Sequence, residues 1–199
     1  MNTKFDIRIT NLSPEAISRI LSTIARIDEL KGHWVAGSRL HPQVLGNLKK
    51  SVLITSTGAS TRIEGGRLSD EDIEKLMRGI SIQKFRDRDV QEVKGYYELL
   101  MNVFDSWQTL HCSEGLIKSF HKELLKYVDK DSSHRGEYKK KENKVVMIDE
   151  AGKSVGILFN TTPSYLTPSS MQELLEWTSG SLSKGTHHPL LIISSFLVE

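Results

Sequence analysis

The sequence predicts a mainly α fold interrupted by one β-hairpin. Two observations carry that expectation. Apolar residues recur at helical spacing through most of the chain, and after Lys139-Lys140-Lys141 that spacing gives way once to two short runs flanking a Gly-containing turn. A length of 199 residues suffices for one substantial core or for a helical domain with a small appendage, so one compact unit is expected.

The elements follow in order. Ser13-Pro14-Glu15 is a helix start, with Ser as cap and Pro at the first helical position, and Ile17, Ile20, Leu21, Ile24 and Ile27 follow on one face until about Lys31-Gly32. A second helix runs from about Pro42 to Ile63 through Val44, Leu45, Leu48 and Val52 and is closed by Gly65-Gly66. Ser69-Asp70-Glu71-Asp72 resembles a capping box before a short helix ending near Met77. A long amphipathic helix spans about Asp87 to Trp107, and another starts at Ser113 with Leu116, Ile117, Phe120 and Leu124.

Val145 to Ile148 and Val155 to Phe159 flank Asp149-Glu150-Ala151-Gly152-Lys153, which makes a hairpin over about 144–160. Thr167-Pro168 caps a further helix that buries Met171, Leu174, Leu175 and Trp177, and a last segment begins at Pro189. The apolar run Leu190 to Val198 meets Glu199 without a stop signal, so the carboxy terminus reads as a truncation. Leu190, Leu191, Ile192, Phe196 and Leu197 are then expected to be exposed, and homo-oligomer formation through them is one expectation.

Composition removes several function classes. Lys and Arg total 27 against 25 Asp and Glu, a net charge of +2 with the signs interleaved, so no nucleic-acid partner is expected. No run has membrane-spanning length and the amino terminus is no signal peptide, so no membrane partner is expected either. The single Cys112 fits a reducing compartment as a buried structural thiol, and a cytoplasmic location follows. The seven His show no zinc-ligand spacing and no metal site is expected, while Gly152-Lys153-Ser154 lacks the earlier Gly of a P-loop. Ser60 sits in no Gly-x-Ser-x-Gly elbow.

Ser60-Thr61-Arg62-Ile63-Glu64-Gly65-Gly66 breaks a local rule. Glu64 lies at a helix carboxy terminus, where the unpaired carbonyls disfavour an anion by ~0.3–1 kcal/mol. Arg62, two residues back, cannot share its face, whereas Ser60, four residues back, does and can only orient it. Two readings stand: a solvated carboxylate at a fraying end, or a carboxylate that meets a basic partner from elsewhere.

Ser60-x-x-x-Glu64-Gly65 resembles the Ser/Thr-x-x-x-Glu-Gly/Asn motif of the inhibitory helix in Fic-domain (Fido) proteins, in the class with an amino-terminal inhibitor. The pieces that follow resemble the family in order: Asp89-Val90-Gln91-Glu92-Val93 with Tyr96-Tyr97, Ile117-x-x-x-His121-x-x-Leu124-Leu125, Arg135-Gly136-Glu137-Tyr138, the hairpin, Pro163, and Met171 to Trp177. Together they cover roughly Leu45 to Glu199. Two departures stand out. Lys139 takes the place of a usual Arg, and the catalytic loop His-Pro-Phe-x-Asp/Glu-Gly-Asn-Gly-Arg-x-x-Arg is absent, because His41-Pro42 and His188-Pro189 lead into other residues.

The resemblance implies a Fic-like helical bundle with a hairpin flap. Residues 1–41 would be a variable amino-terminal helical extension, 42–66 the inhibitory helix and 67–199 the amino-terminal part of the Fic domain. It implies a protein adenylyltransferase that moves AMP from ATP to a target hydroxyl, with ATP and Mg2+ as cofactors of the intact enzyme. No catalytic residue lies in this chain, which is expected to be inactive alone and to bind no nucleotide tightly. Ser60, Glu64 and Gly65 would form the inhibitory element. Ile157, Leu158, Phe159 and Asn160 would line the nucleotide and target flap, whose edge would take a protein target by strand addition. From the residues alone the hairpin reads equally as a surface cover. The alternative from another class is a non-catalytic helical regulatory or interaction module, and reading the coding sequence past Glu199 separates the two.

Overall fold

The computed structural model describes residues 3–36, 41–79 and 87–198. In chain order these form helices α1 (Lys4–Thr10), α2 (Pro14–Ala36), α3 (Pro42–Ile63), α4 (Asp70–Met77), α5 (Asp87–Ser106) and α6 (Glu114–Leu124). Strands β1 (Lys144–Ile148) and β2 (Ser154–Asn160) follow, then helices α7 (Thr167–Lys184) and α8 (Pro189–Val198). The only sheet among the described residues is the two-stranded antiparallel hairpin, so the mainly α expectation with one hairpin holds. None of these helices is long and apolar enough to cross a membrane.

The chain divides into two compact units, one of Met1–Gly46 with Glu173–Glu199 and one of Asn47–Gln172. The core of the first is built on α1, an element the sequence reading did not contain. Thr3 and Asp6 form a reciprocal capping box that satisfies the first orphan amides of α1. This short helix places Phe5, fully buried, against Trp177 with ring centroids 5.1 Å apart, beside Leu174 and Ile192. Ile192 was expected to be exposed and is instead fully buried, because α8 packs against α1. Leu190 and Leu197 remain exposed as expected, whereas Leu191 and Phe196 are half-buried.

α2 also runs past Gly32 to Ala36. A single Gly inside a helix costs only ~1 kcal/mol, and the Glu29–His33 pair at 3.7 Å continues the turn across it. The connection from α7 to α8 carries His187 and His188, whose Nε2 atoms lie 3.3 Å from Asp6 and 3.4 Å from Asp28. Thr167 was expected to cap α7, but its hydroxyl donates to the Pro163 carbonyl at 3.0 Å and the residue is itself helical.

In the second unit Ile54, Leu68, Ile73 and Val93 form the core, with Leu76, Met77, Val90 and Tyr97 packed against it. The capping box expected at the start of α4 is present between Ser69 and Asp72. Val44, Leu45, Leu48 and Val52, which signalled α3, are exposed, and the helix buries Leu53, Ile54, Thr57 and Gly58 instead. α5 and α6 touch backbone to backbone at Gly95, where a Cβ would stand 2.1 Å from the Leu124 carbonyl oxygen. Cys112, expected to be buried, is exposed, since it falls in the connection just before Ser113 caps α6.

Candidate functional site

α3 ends in a Schellman turn. The Gly65 amide donates to the Arg62 carbonyl at 3.1 Å and the Gly66 amide to the Thr61 carbonyl at 2.8 Å. This closure needs a left-handed residue just past the cap, and Gly65 supplies it with φ of 91°. Glu64 is therefore the cap residue of α3, exposed to solvent at the negative end of the helix.

The cation closest to Glu64 in sequence is committed elsewhere. Arg62 Nη1 donates to Asp70 Oδ1 at 2.9 Å and to the Leu68 carbonyl at 3.1 Å, which pins the segment linking α3 to α4. Among the described residues no ion pair or hydrogen bond is made by the Glu64 side chain. Of the two readings of this carboxylate, both survive locally, but its neighbour Arg62 is ruled out as the partner.

Glu64 opens onto a cavity of ≈ 690 Å³ lined by the end of α3, the first turns of α5 and the end of α6. From α3 come Ser60, Thr61 and Glu64, with Gly65 and Gly66 beyond its end. From α5 come Arg88, Asp89, Glu92 and Tyr96, and at α6 Leu124 and Leu125. Arg88, Glu92 and Tyr96 share one face of α5 because they stand four residues apart. Three carboxylates thus line the cavity against one guanidinium, and that guanidinium pairs with Glu92 at 2.7 Å. The carbonyl ends of α3 and α6 add partial negative charge that the amino-terminal end of α5 partly offsets, so it is the three carboxylates against one guanidinium that make the cavity acidic.

Sequence reasoning placed Ser60 on the face of Glu64 but gave it no further partner. The structure supplies one: the Tyr96 hydroxyl donates to Ser60 Oγ at 2.8 Å. No local signal could have found that pair, 36 residues apart. The mid-helix Gly95 was the readable hint that α5 meets another backbone at this level.

The other sequence-predicted site residues lie on β2. The register pairs Lys144 with Asn160, Val145 with Phe159, Val146 with Ile157, Met147 with Gly156 and Ile148 with Ser154. Leu158 falls at the irregularity between Val145 and Val146, so the strand bulges within the Ile157–Asn160 stretch. Ile157, Leu158 and Phe159 are all more than half exposed. Asp149 Oδ1 accepts from the Ala151 and Lys153 amides at 3.0 and 2.8 Å and so holds the turn.

The base of the hairpin is fastened as well. Lys139 Nζ donates to Asn143 Oδ1 at 2.6 Å and to Thr161 Oγ1 at 2.5 Å, on the two sides of the hairpin. The Lys that stands where the resemblance leads one to expect Arg therefore does make a polar contact there. Glu142 accepts from the Ser164 hydroxyl and amide, and these hydrogen bonds lower its pKa. His121 has a structural task, since its Nδ1 accepts from the Gly136 amide at 3.0 Å. Among the described residues no three His, Cys, Asp or Glu side chains converge as a metal site.

No family model and no curated protein matches the sequence. Solved structures do match. A Fic family protein from Desulfovibrio desulfuricans G20 superposes with a TM-score of 0.69 at 21% identity, over 94% of this chain and 50% of that one. A Fic domain containing signaling protein from Bacteroides thetaiotaomicron VPI-5482 gives a TM-score of 0.69 at 22% identity, over 83% of this chain and 60% of that one. The fold is thus Fic-like, and the chain spans about half to three-fifths of the length of these neighbours.

Proposed function

We propose that this chain is the regulatory and target-docking portion of a Fic-type enzyme that transfers AMP from ATP to a hydroxyl side chain of a target protein, with Glu64 as its inhibitory carboxylate. The observation that carries the proposal is the end of α3. Glu64 is held at the mouth of an acidic cavity while Arg62 is engaged by Asp70, so the carboxylate is presented to a cation from outside its own helix. In the family this fold resembles, that cation is the final Arg of the catalytic loop. A hydrogen-bonded charge pair contributes ~1.5–3 kcal/mol, which lowers the population with that Arg free for the ATP γ-phosphate by about tenfold or more.

The hairpin has the second role. A two-stranded sheet leaves backbone donors and acceptors unpaired along its outer edges, and an extended target segment satisfies them by strand addition. Ile157, Leu158, Phe159 and Asn160 present exposed side chains beside such a segment. Residues of the loop itself are not among these 199, so general base, magnesium ligand and phosphate cradle are assigned to a region outside them. No step through magnesium or the nucleotide is assigned to this chain. A cytoplasmic location is part of the same proposal.

The test is self-labelling with radiolabelled ATP by a polypeptide that joins this region to a catalytic loop. Glu64→Gly is expected to raise labelling about tenfold or more over the unsubstituted protein. Equal labelling of the two would sink the inhibitory role, and no labelling by either would leave the non-catalytic helical module.

A further inference from the structure

Within α3 the hydroxyl side chains are used in two different ways. Thr55 and Thr61 turn back on their own helix and donate to the Ser51 and Thr57 carbonyls at 3.0 and 2.8 Å. Ser60 does not. Its oxygen accepts from the Tyr96 hydroxyl at 2.8 Å, and among the described residues no backbone carbonyl takes its proton. A phenol is the stronger acid of the two hydroxyls, so Tyr96 is the natural donor and Ser60 keeps its own hydrogen for a second acceptor. That hydrogen lies four residues before Glu64, on the same face of the helix and at the same cavity.

We infer that Tyr96 is a positioning residue for Glu64: it holds the Ser60 hydroxyl with its own hydrogen unclaimed, so that Ser60 donates to the Glu64 carboxylate when that carboxylate engages a cation at the cavity, a bond this structure does not contain. The inference rests on the inhibitory reading of Glu64 and adds to it a residue from another helix. The physical reason is directional. A lone serine hydroxyl samples three rotamers and prefers the carbonyl one turn back, which would leave the carboxylate to swing in solvent. Accepting from Tyr96 selects one rotamer, and chained hydrogen bonds polarise one another, so the Ser60 proton becomes a better donor. α5 can deliver the phenol because Gly95 lets it approach α6 closely, while Tyr96 beside it faces the cavity.

The experiment compares self-labelling in the loop-bearing polypeptide for Tyr96→Phe, Ser60→Ala, their double substitution, Glu64→Gly, and Glu64→Gly with Tyr96→Phe. Tyr96→Phe removes one oxygen and is expected to raise labelling about threefold to tenfold, less than Glu64→Gly does. The double substitution is expected to give no more than the larger single effect, because both residues act through one chain. Adding Tyr96→Phe to Glu64→Gly is expected to give no further rise, a result that a merely structural tyrosine would not produce.

If Glu64→Gly itself changes nothing, the inhibitory reading fails and this inference with it. If Glu64→Gly raises labelling while Tyr96→Phe stays at the starting level, the inference alone is overturned. Equal effects of Tyr96→Phe with and without Glu64 overturn it too, as they would mark a packing role. Ser60→Ala guards against a misfolded tyrosine variant, since it removes the same link without touching the ring: no rise on Ser60→Ala overturns the inference whatever Tyr96→Phe does.

Discussion

The Trp177 indole donates its Nε1–H to Asp6 Oδ1 at 3.0 Å, joining α7 to α1 across 171 positions of sequence. The Asp6 carboxylate also accepts from the Thr3 amide and hydroxyl at 2.8 and 2.9 Å. These donors, Trp177 first, hold the Asp6 carboxyl far below the usual carboxylate range. A depressed folded value contributes stability that is complete above the unfolded value near ~3.9 and is lost as pH falls toward the folded one. Asp6→Asn should therefore cost ~1–2 kcal/mol at pH 7, and the difference should shrink steadily below about pH 4. Urea unfolding of both proteins at neutral and acid pH measures this, and a deficit independent of pH would contradict it.

Three glycines should respond differently to alanine. At Gly95 the new methyl would meet the Leu124 carbonyl, so Gly95→Ala should cost about 3 kcal/mol or force α5 and α6 apart. At Gly65 the space is open but φ is 91°, so the cost should be only ~1 kcal/mol. Gly180 lies inside α7 with nothing near its missing side chain, and Gly180→Ala should stabilise by ~0.4–1 kcal/mol. Thermal unfolding of the three variants should rank them in that order, with only the last above the parent.

Lys139 ties the two sides of the hairpin base, and Lys139→Met keeps the stem while removing the ammonium. Amide hydrogen exchange should quicken several-fold in β1 and β2 and stay unchanged in α5 and α6, because the lost contacts are confined to Asn143 and Thr161. Uniform quickening across the protein would mean that Lys139 supports the whole unit instead.

Glu64→Gly should hardly alter stability. The carboxylate is exposed at the negative end of α3 with no partner among the described residues, and Gly is tolerated at a helix cap. A change within ~0.5 kcal/mol by chemical denaturation is expected. A loss above ~1 kcal/mol would mean that Glu64 has a structural partner, and would count against a role reserved for regulation.

The elements that repeat a local rule were legible from residues alone. Pro14 beside Ser13, the Ser69 capping box, the turn residues Asp149 and Gly152, and the spacing of Leu174, Leu175 and Trp177 each use contacts within four positions of the chain. The isolation of Glu64 from Arg62 was readable for the same reason, since side chains two apart on a helix diverge. α1 escaped because its seven residues are too few for a helical period to show, and Phe5, Ile7 and Ile9 alternate as they would in a strand.

Neighbouring residues alone specify the helices from α2 onward, the single hairpin and the carboxylate at the end of α3, because helical spacing, caps and turns are written within a few positions of the chain. Tertiary structure alone decided which partners those residues meet. It turned Arg62 onto Asp70, set Tyr96 against Ser60, sealed Ile192 beneath Phe5 and left Cys112 and the first half of α3 in solvent. The physical reason is range. A hydrogen bond or an apolar contact acts over a few ångströms of space, and only the packing of whole elements brings residues 36 or 171 positions apart within that reach.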